Sequence, residues 1–137
     1  MAFQVRRVAY YYTVIPDVAE HAGRLLAELA GQGVNLLAFS AVPMGPARTE
    51  LTLFPEDGAS LGAAARHAGF ALDGPHGAFL VQGDDELGAL SRVHGLLSQA
   101  GVDVFASTGV TDGRGGFGYV IYVRPEHFQS AASALQV

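Results

Sequence analysis

Gly33-Val34-Asn35-Leu36 and Gly101-Val102-Asp103-Val104 stand 68 positions apart. Carried outward, the same offset keeps finding partners: Asp17 meets Asp85, Leu29 meets Leu97, Ser40 meets Thr108 and Phe54 meets Tyr122. One four-residue match is chance. A register that persists along the chain with its hydrophobic pattern intact is an internal repeat, and a repeat decides the fold.

Each copy reads as βαββα. An apolar, β-rich run (Val5 to Val14; Gly77 to Gln82) leads through a polar turn into a helical pattern. The apolar positions are Val18, Ala22, Leu25, Leu26 and Leu29 in copy one, and Leu87, Leu90, Val93, Leu96 and Leu97 in copy two, both at three-and-four spacing. Glycines at 31 to 33 and at 101 suit the left-handed position that ends a helix. Second strands are expected over Val34 to Val42 and Val102 to Val110, and third strands over Thr49 to Phe54 and Gly118 to Arg124. The Gly- and Pro-rich turns between them make each pair a hairpin. Ala-rich helices, Ala59 to Ala68 and Pro125 to Leu135, close the copies.

The predicted fold is α+β: two ferredoxin-like βαββα(β) modules in tandem, residues 1–74 and 75–137, each an antiparallel sheet with its helices on one face. Copy one continues into Phe70-Ala71-Leu72, read as a short fourth strand, whereas copy two runs out of chain before its own. That leaves a sheet edge to be covered, by the long first strand or by a second chain. The strands are also apolar on both faces, as Tyr10 and Tyr12 against Tyr11 illustrate. A wet face should alternate with polar residues, so the helix-free faces of two chains are expected to stack into a homodimer.

Composition narrows the function. Half of the 137 residues are hydrophobic and the net charge is −5, which supplies a core and argues against nucleic acid as a partner. There is no cysteine, hence no disulfide framework or thiol nucleophile. No apolar run approaches the roughly 18 residues of a membrane span, and residues 1–7 lack the order of a signal peptide, so the cytoplasm is the expected compartment.

The turns into the first helix of each copy carry the candidate chemistry. Copy two has Asp84, then Asp85-Glu86-Leu87-Gly88-Ala89-Leu90, with Gly101-Val102-Asp103-Val104 after the helix. This pattern resembles the ACT domain, a βαββαβ regulatory module whose signature runs Asp-x-Pro-Gly-x-Leu into the helix and Gly-Ile-Asn-Ile after it. Copy one keeps Gly33-Val34-Asn35-Leu36, but its turn reads Asp17-Val18-Ala19-Glu20, and neither turn has the proline. The resemblance covers nearly the whole chain and implies a stand-alone tandem ACT protein. It also implies that a small ligand, typically an amino acid, binds where the strand-to-helix turns of two modules meet.

Helix N-termini present unpaired amides and a positive dipole end, which suit a carboxylate. The candidate ligand-binding residues are accordingly Asp84, Asp85, Glu86, Leu87 and Gly88, with Asp17, Val18 and His21 in copy one, and Asn35 and Asp103 after the helices. Structural roles compete for several of them. Asp17 with Glu20 fits a capping box, Asp84 or Asp85 fits an N-cap, and Asn35 and Asp103 fit turn-tying residues.

Gly113-x-Gly115-x-x-Gly118 matches a dinucleotide fingerprint as a string, but it precedes a strand rather than a helix and reads as a hairpin turn. The five histidines (His21, His67, His76, His94, His127) lack metal-type spacing, and no nucleophile or carboxylate pair is set up for catalysis. The expectation is a non-catalytic regulatory binding protein without metal or cofactor. The rival reading is a ligand-free assembly module of the same fold.

Overall fold

The repeat survives down to individual hydrogen bonds. The Val34 amide donates to the Leu29 carbonyl at 2.9 Å, and at the equivalent place the Val102 amide donates to the Leu97 carbonyl at 3.0 Å. Gly33 (φ 79°) and Gly101 (φ 73°) supply the left-handed residue that each closure needs. The computed structural model describes residues 3–16 and 21–137. Its elements run β1 (Phe3–Pro16), α1 (His21–Gly31), β2 (Leu36–Pro43), β3 (Arg48–Pro55), α2 (Gly58–Ala68), β4 (Asp73–Asp84), α3 (Ala89–Gln99), β5 (Val104–Thr111), β6 (Gly116–Val123), a 3-10 turn (Pro125–His127) and α4 (Phe128–Leu135). Among the described residues no helix is long and apolar enough to cross a membrane.

These elements form two compact units. In the unit Ala9–His76 the strand order is β2-β3-β1-β4. β1 and β3 run antiparallel with Tyr11 opposite Leu53, and β2 and β3 with Ser40 opposite Thr52. Leu25 and Leu29, four residues apart on α1, bury against Leu51 and Leu53 of β3 and Leu61 and Ala64 of α2. Burial of each such leucine contributes about 1.5–3 kcal/mol. Asp57 caps α2, accepting from the Ala59 amide at 3.1 Å and the Ser60 hydroxyl at 2.9 Å. Tyr11 packs toward the helices, whereas Tyr10 gathers Tyr12, Phe54 and His76 at ring distances of 5.2–5.3 Å on the opposite side of the strand.

The other unit joins the described residues up to Val8 to Gly77–Val137, in strand order β1-β4-β6-β5. Its registers repeat those of the first at the same offset. Phe79 opposes Ile121 as Tyr11 opposes Leu53, and the irregularity at Val104/Ala106 matches that at Leu36/Ala38. Ala89, Val93 and Leu97 form the buried stripe of α3, and Val93 and Leu97 pack with Phe79, Val81, Ile121 and Leu135.

The place of copy two's fourth strand is taken by the N-terminal half of β1. Phe3 and Val5 pack onto this unit's core, Arg6 reaches Gln82 at 3.4 Å, and Arg7 donates to the Val137 carbonyl at 2.9 Å. The expectation for Phe70-Ala71-Leu72 is corrected: these residues are irregular, and β4 begins at Asp73. The Phe70 amide is already committed to the Ala65 carbonyl at the end of α2 (3.1 Å), and Phe70 and Leu72 pack onto the core as a plug.

Candidate functional site

β4 ends at Asp84, which pairs with Gly116 of β6. The chain then turns through Asp85–Gly88 into α3, and the turn is held from one side by the Asp85 amide donating to the Gly115 carbonyl at 2.8 Å. The helix N-cap is Gly88, at φ 80° and ψ 4°, so the expectation that Asp84 or Asp85 caps α3 is corrected. A glycine has no side chain to cap with, and none does. The Ala89 amide reaches the Glu86 carbonyl (3.2 Å) and the Arg92 amide the Gly88 carbonyl (3.1 Å). Among the described residues, the Leu90 and Ser91 amides between them have no acceptor. Two unpaired donors at the positive end of a three-turn helix are the elements of a carboxylate cradle.

Leu90 and Ser91 line a cavity of about 480 Å³, formed by the turn Asp85–Gly88, the first residues of α3 (Ala89–Ser91), and the facing strands at Gly109–Thr111 and Phe117–Gly118. That size lies within the range of about 300–1,000 Å³ common to small-molecule sites. A Cβ built on Gly88 would find no atom within 4 Å, so its outer side is open. Of the two acidic residues on the rim, Glu86 is paired with Arg92, while among the described residues no ion pair or hydrogen bond engages the Asp85 carboxylate.

Behind the cavity, Tyr119 lies so close over Gly109 that a Cβ there would sit 2.7 Å from its ring. The Tyr119 hydroxyl donates to Ser107 Oγ (2.8 Å) and meets His94 Nε2 of α3 at 2.6 Å, which pins helix and strand together. At the hairpin tip, Asp112 accepts from the Arg114 amide (2.6 Å) and the Gly116 amide (3.0 Å). These bonds, Arg114's first, hold its carboxyl below the usual carboxylate range.

The structure brings Asp85, Glu86, Leu87 and Gly88 to one cavity, with Asp84 at the adjoining strand end. The remaining candidates lie elsewhere. His21 borders a separate cavity of about 520 Å³ with Arg24 and His67 over Ile15 and Phe70, and its Nδ1 lies 3.2 Å from the Pro16 carbonyl. Asn35 donates from Nδ2 to Glu56 Oε2 at 2.7 Å and receives the Glu56 amide on its own carbonyl at 2.9 Å, which ties β2 to the exit of β3. Asp103 borders a hollow beside His94 at the far end of α3. Asp17 and Val18, with the Asp17–Glu20 capping box, lie outside the described residues.

Sequence reasoning missed the second wall, Gly109–Thr111 and Phe117–Gly118. Its signal was present: the strands on either side of the Gly113–Gly118 string form the hairpin that faces the Asp85 turn.

No family model and no curated protein matches the chain. Among solved structures, it is similar to a protein of Bacteroides thetaiotaomicron at TM-score 0.81 and 17% identity, over 96% of this chain and 88% of that one. It is also similar to the ligand-free regulatory subunit of aspartate kinase from Thermus thermophilus, at TM-score 0.66 and 12% identity over 99% and 95% of the two chains. The corresponding subunit from Thermus flavus gives 0.62 and 14% over the same shares. At these identities the likeness establishes the fold alone, a tandem ferredoxin-like α+β arrangement of the kind expected from the sequence repeat.

Proposed function

We propose that this chain is a non-catalytic regulatory protein that binds an amino acid in the cavity at the start of α3. The observation that carries the reading is the pair of unpaired amides, without a side-chain cap, on Leu90 and Ser91, which line that cavity. They would take the ligand's carboxylate, and Asp85 on the rim would take its ammonium. The fold shared with a regulatory subunit of aspartate kinase supports a regulatory role. Fold alone hosts many functions, so the weight rests on the site.

Self-association belongs to the same proposal, through the stacking of sheet faces expected from strands that are apolar on both sides. Sedimentation at micromolar concentration would report a dimer, and a monomer would remove that part of the proposal.

Thermal-shift screening of the twenty amino acids, with calorimetry on the hits, tests the function. A true ligand at a hundredfold excess over its Kd stabilises the folded state by about 2.7 kcal/mol. Gly88→Leu adds a side chain at the N-cap, at a φ of 80° that costs it about 1–2 kcal/mol of strain, and should abolish that shift in a protein whose circular dichroism still reports the native fold. An unchanged melting temperature across all twenty would refute the proposal.

A further inference from the structure

We infer that the α3 cavity selects amino acids with aliphatic side chains, an inference that rests on the binding function proposed above. Three large apolar side chains left in water border this one cavity: Leu87 is 100% exposed, Val110 73% and Leu90 38%. Phe117 adds a partly buried aromatic wall. Clustered apolar side chains in water are unfavourable unless something covers them. The polar groups of the site limit what that cover is. The Leu90 and Ser91 amides ask for an anion, and Asp85 asks for a cation beside it.

A zwitterion meets both demands, and the large side chains left for its own side chain to lie against are Leu87, Leu90, Val110 and Phe117. Burial of each methylene there raises affinity roughly fourfold. Aspartate and glutamate would bring a third carboxylate close to Asp85 and Glu86 in a chain of net charge −5. Lysine would carry a second ammonium across the apolar groups, at a desolvation cost that an aliphatic side chain does not meet.

Calorimetry with alanine, 2-aminobutyrate, norvaline, leucine, serine, lysine and aspartate reads the selectivity on the full chain. The expected result is affinity climbing about fourfold per methylene along the aliphatic series, with aspartate and lysine at least tenfold weaker than leucine. Leu90→Asn and Leu87→Ser, both at exposed positions that leave the core intact, should each lower leucine affinity severalfold and leave serine unchanged. Tighter binding of serine, lysine or aspartate than leucine overturns the selectivity while the binding function stands. So does leucine affinity unchanged in both variants. Absence of binding by every amino acid overturns both, as does a rim whose only response to substitution is the loss of self-association.

Discussion

The Asp85 amide donates to the Gly115 carbonyl at 2.8 Å, joining the turn before α3 to the tip of the β5–β6 hairpin. One bond thus fixes the spacing of the two walls between which the cavity lies, because Asp85 begins one wall and the strands leaving Gly115 form the other. Gly115 holds its carbonyl there at φ 89°, a conformation a β-branched residue adopts only under strain. Gly115→Val should cost about 1–2 kcal/mol of stability and weaken ligand binding as the walls part. Urea denaturation and calorimetry on the same variant check the two effects.

Tyr119 gives a second test, of packing behind the site. Gly109→Ala puts a methyl 2.7 Å from the Tyr119 ring and forces it off Ser107 and His94. Overpacking of this kind costs about 1–3 kcal/mol. Tyr119→Phe, which removes the hydroxyl without a clash, should cost only about 0.5–1.5 kcal/mol for its hydrogen bonds. A Gly109→Ala protein with the wild-type urea midpoint would show that the ring has room to move.

The hairpin tip should loosen in acid. Asp112 is held below the usual carboxylate range by the Arg114 and Gly116 amides, so its contribution is present above the unfolded value, about 3.9. It is lost as pH falls through the lowered folded value. Amide exchange at Arg114 and Gly116 should therefore be protected at neutral pH and accelerate only at the acid end of a titration, relative to the intrinsic rate. In Asp112→Ala the protection should be missing at every pH.

The offset of 68 made both βαββα copies legible, because a packed repeat imposes the same periodicity, caps and register twice. What stayed hidden depends on which strands pair. The 14 residues of β1 serve one unit with Phe3 and Val5 and the other with Tyr11 and Ile15, a division that apolar alternation along a strand cannot reveal. Asp85, Glu86, Leu87 and Gly88 were legible as candidates that would share one cavity because they are consecutive at a helix start. Gly109 and Phe117 were not, since they lie beyond Gly88 by the whole of α3 and more and reach the cavity through the pairing of β5 with β6. Asn35 looked equally suited to a ligand, yet its side chain is bonded to Glu56, a partner distant in sequence.

Amide chemical shifts of the isotope-labelled chain, followed through a leucine titration, test the central claim most directly. Saturable shifts are expected, largest at Leu90 and Ser91, with Asp85, Gly88 and Gly109 following and the residues around His21 and His67 unmoved. Largest shifts around His21 and His67, or no saturable shift at all, would contradict it.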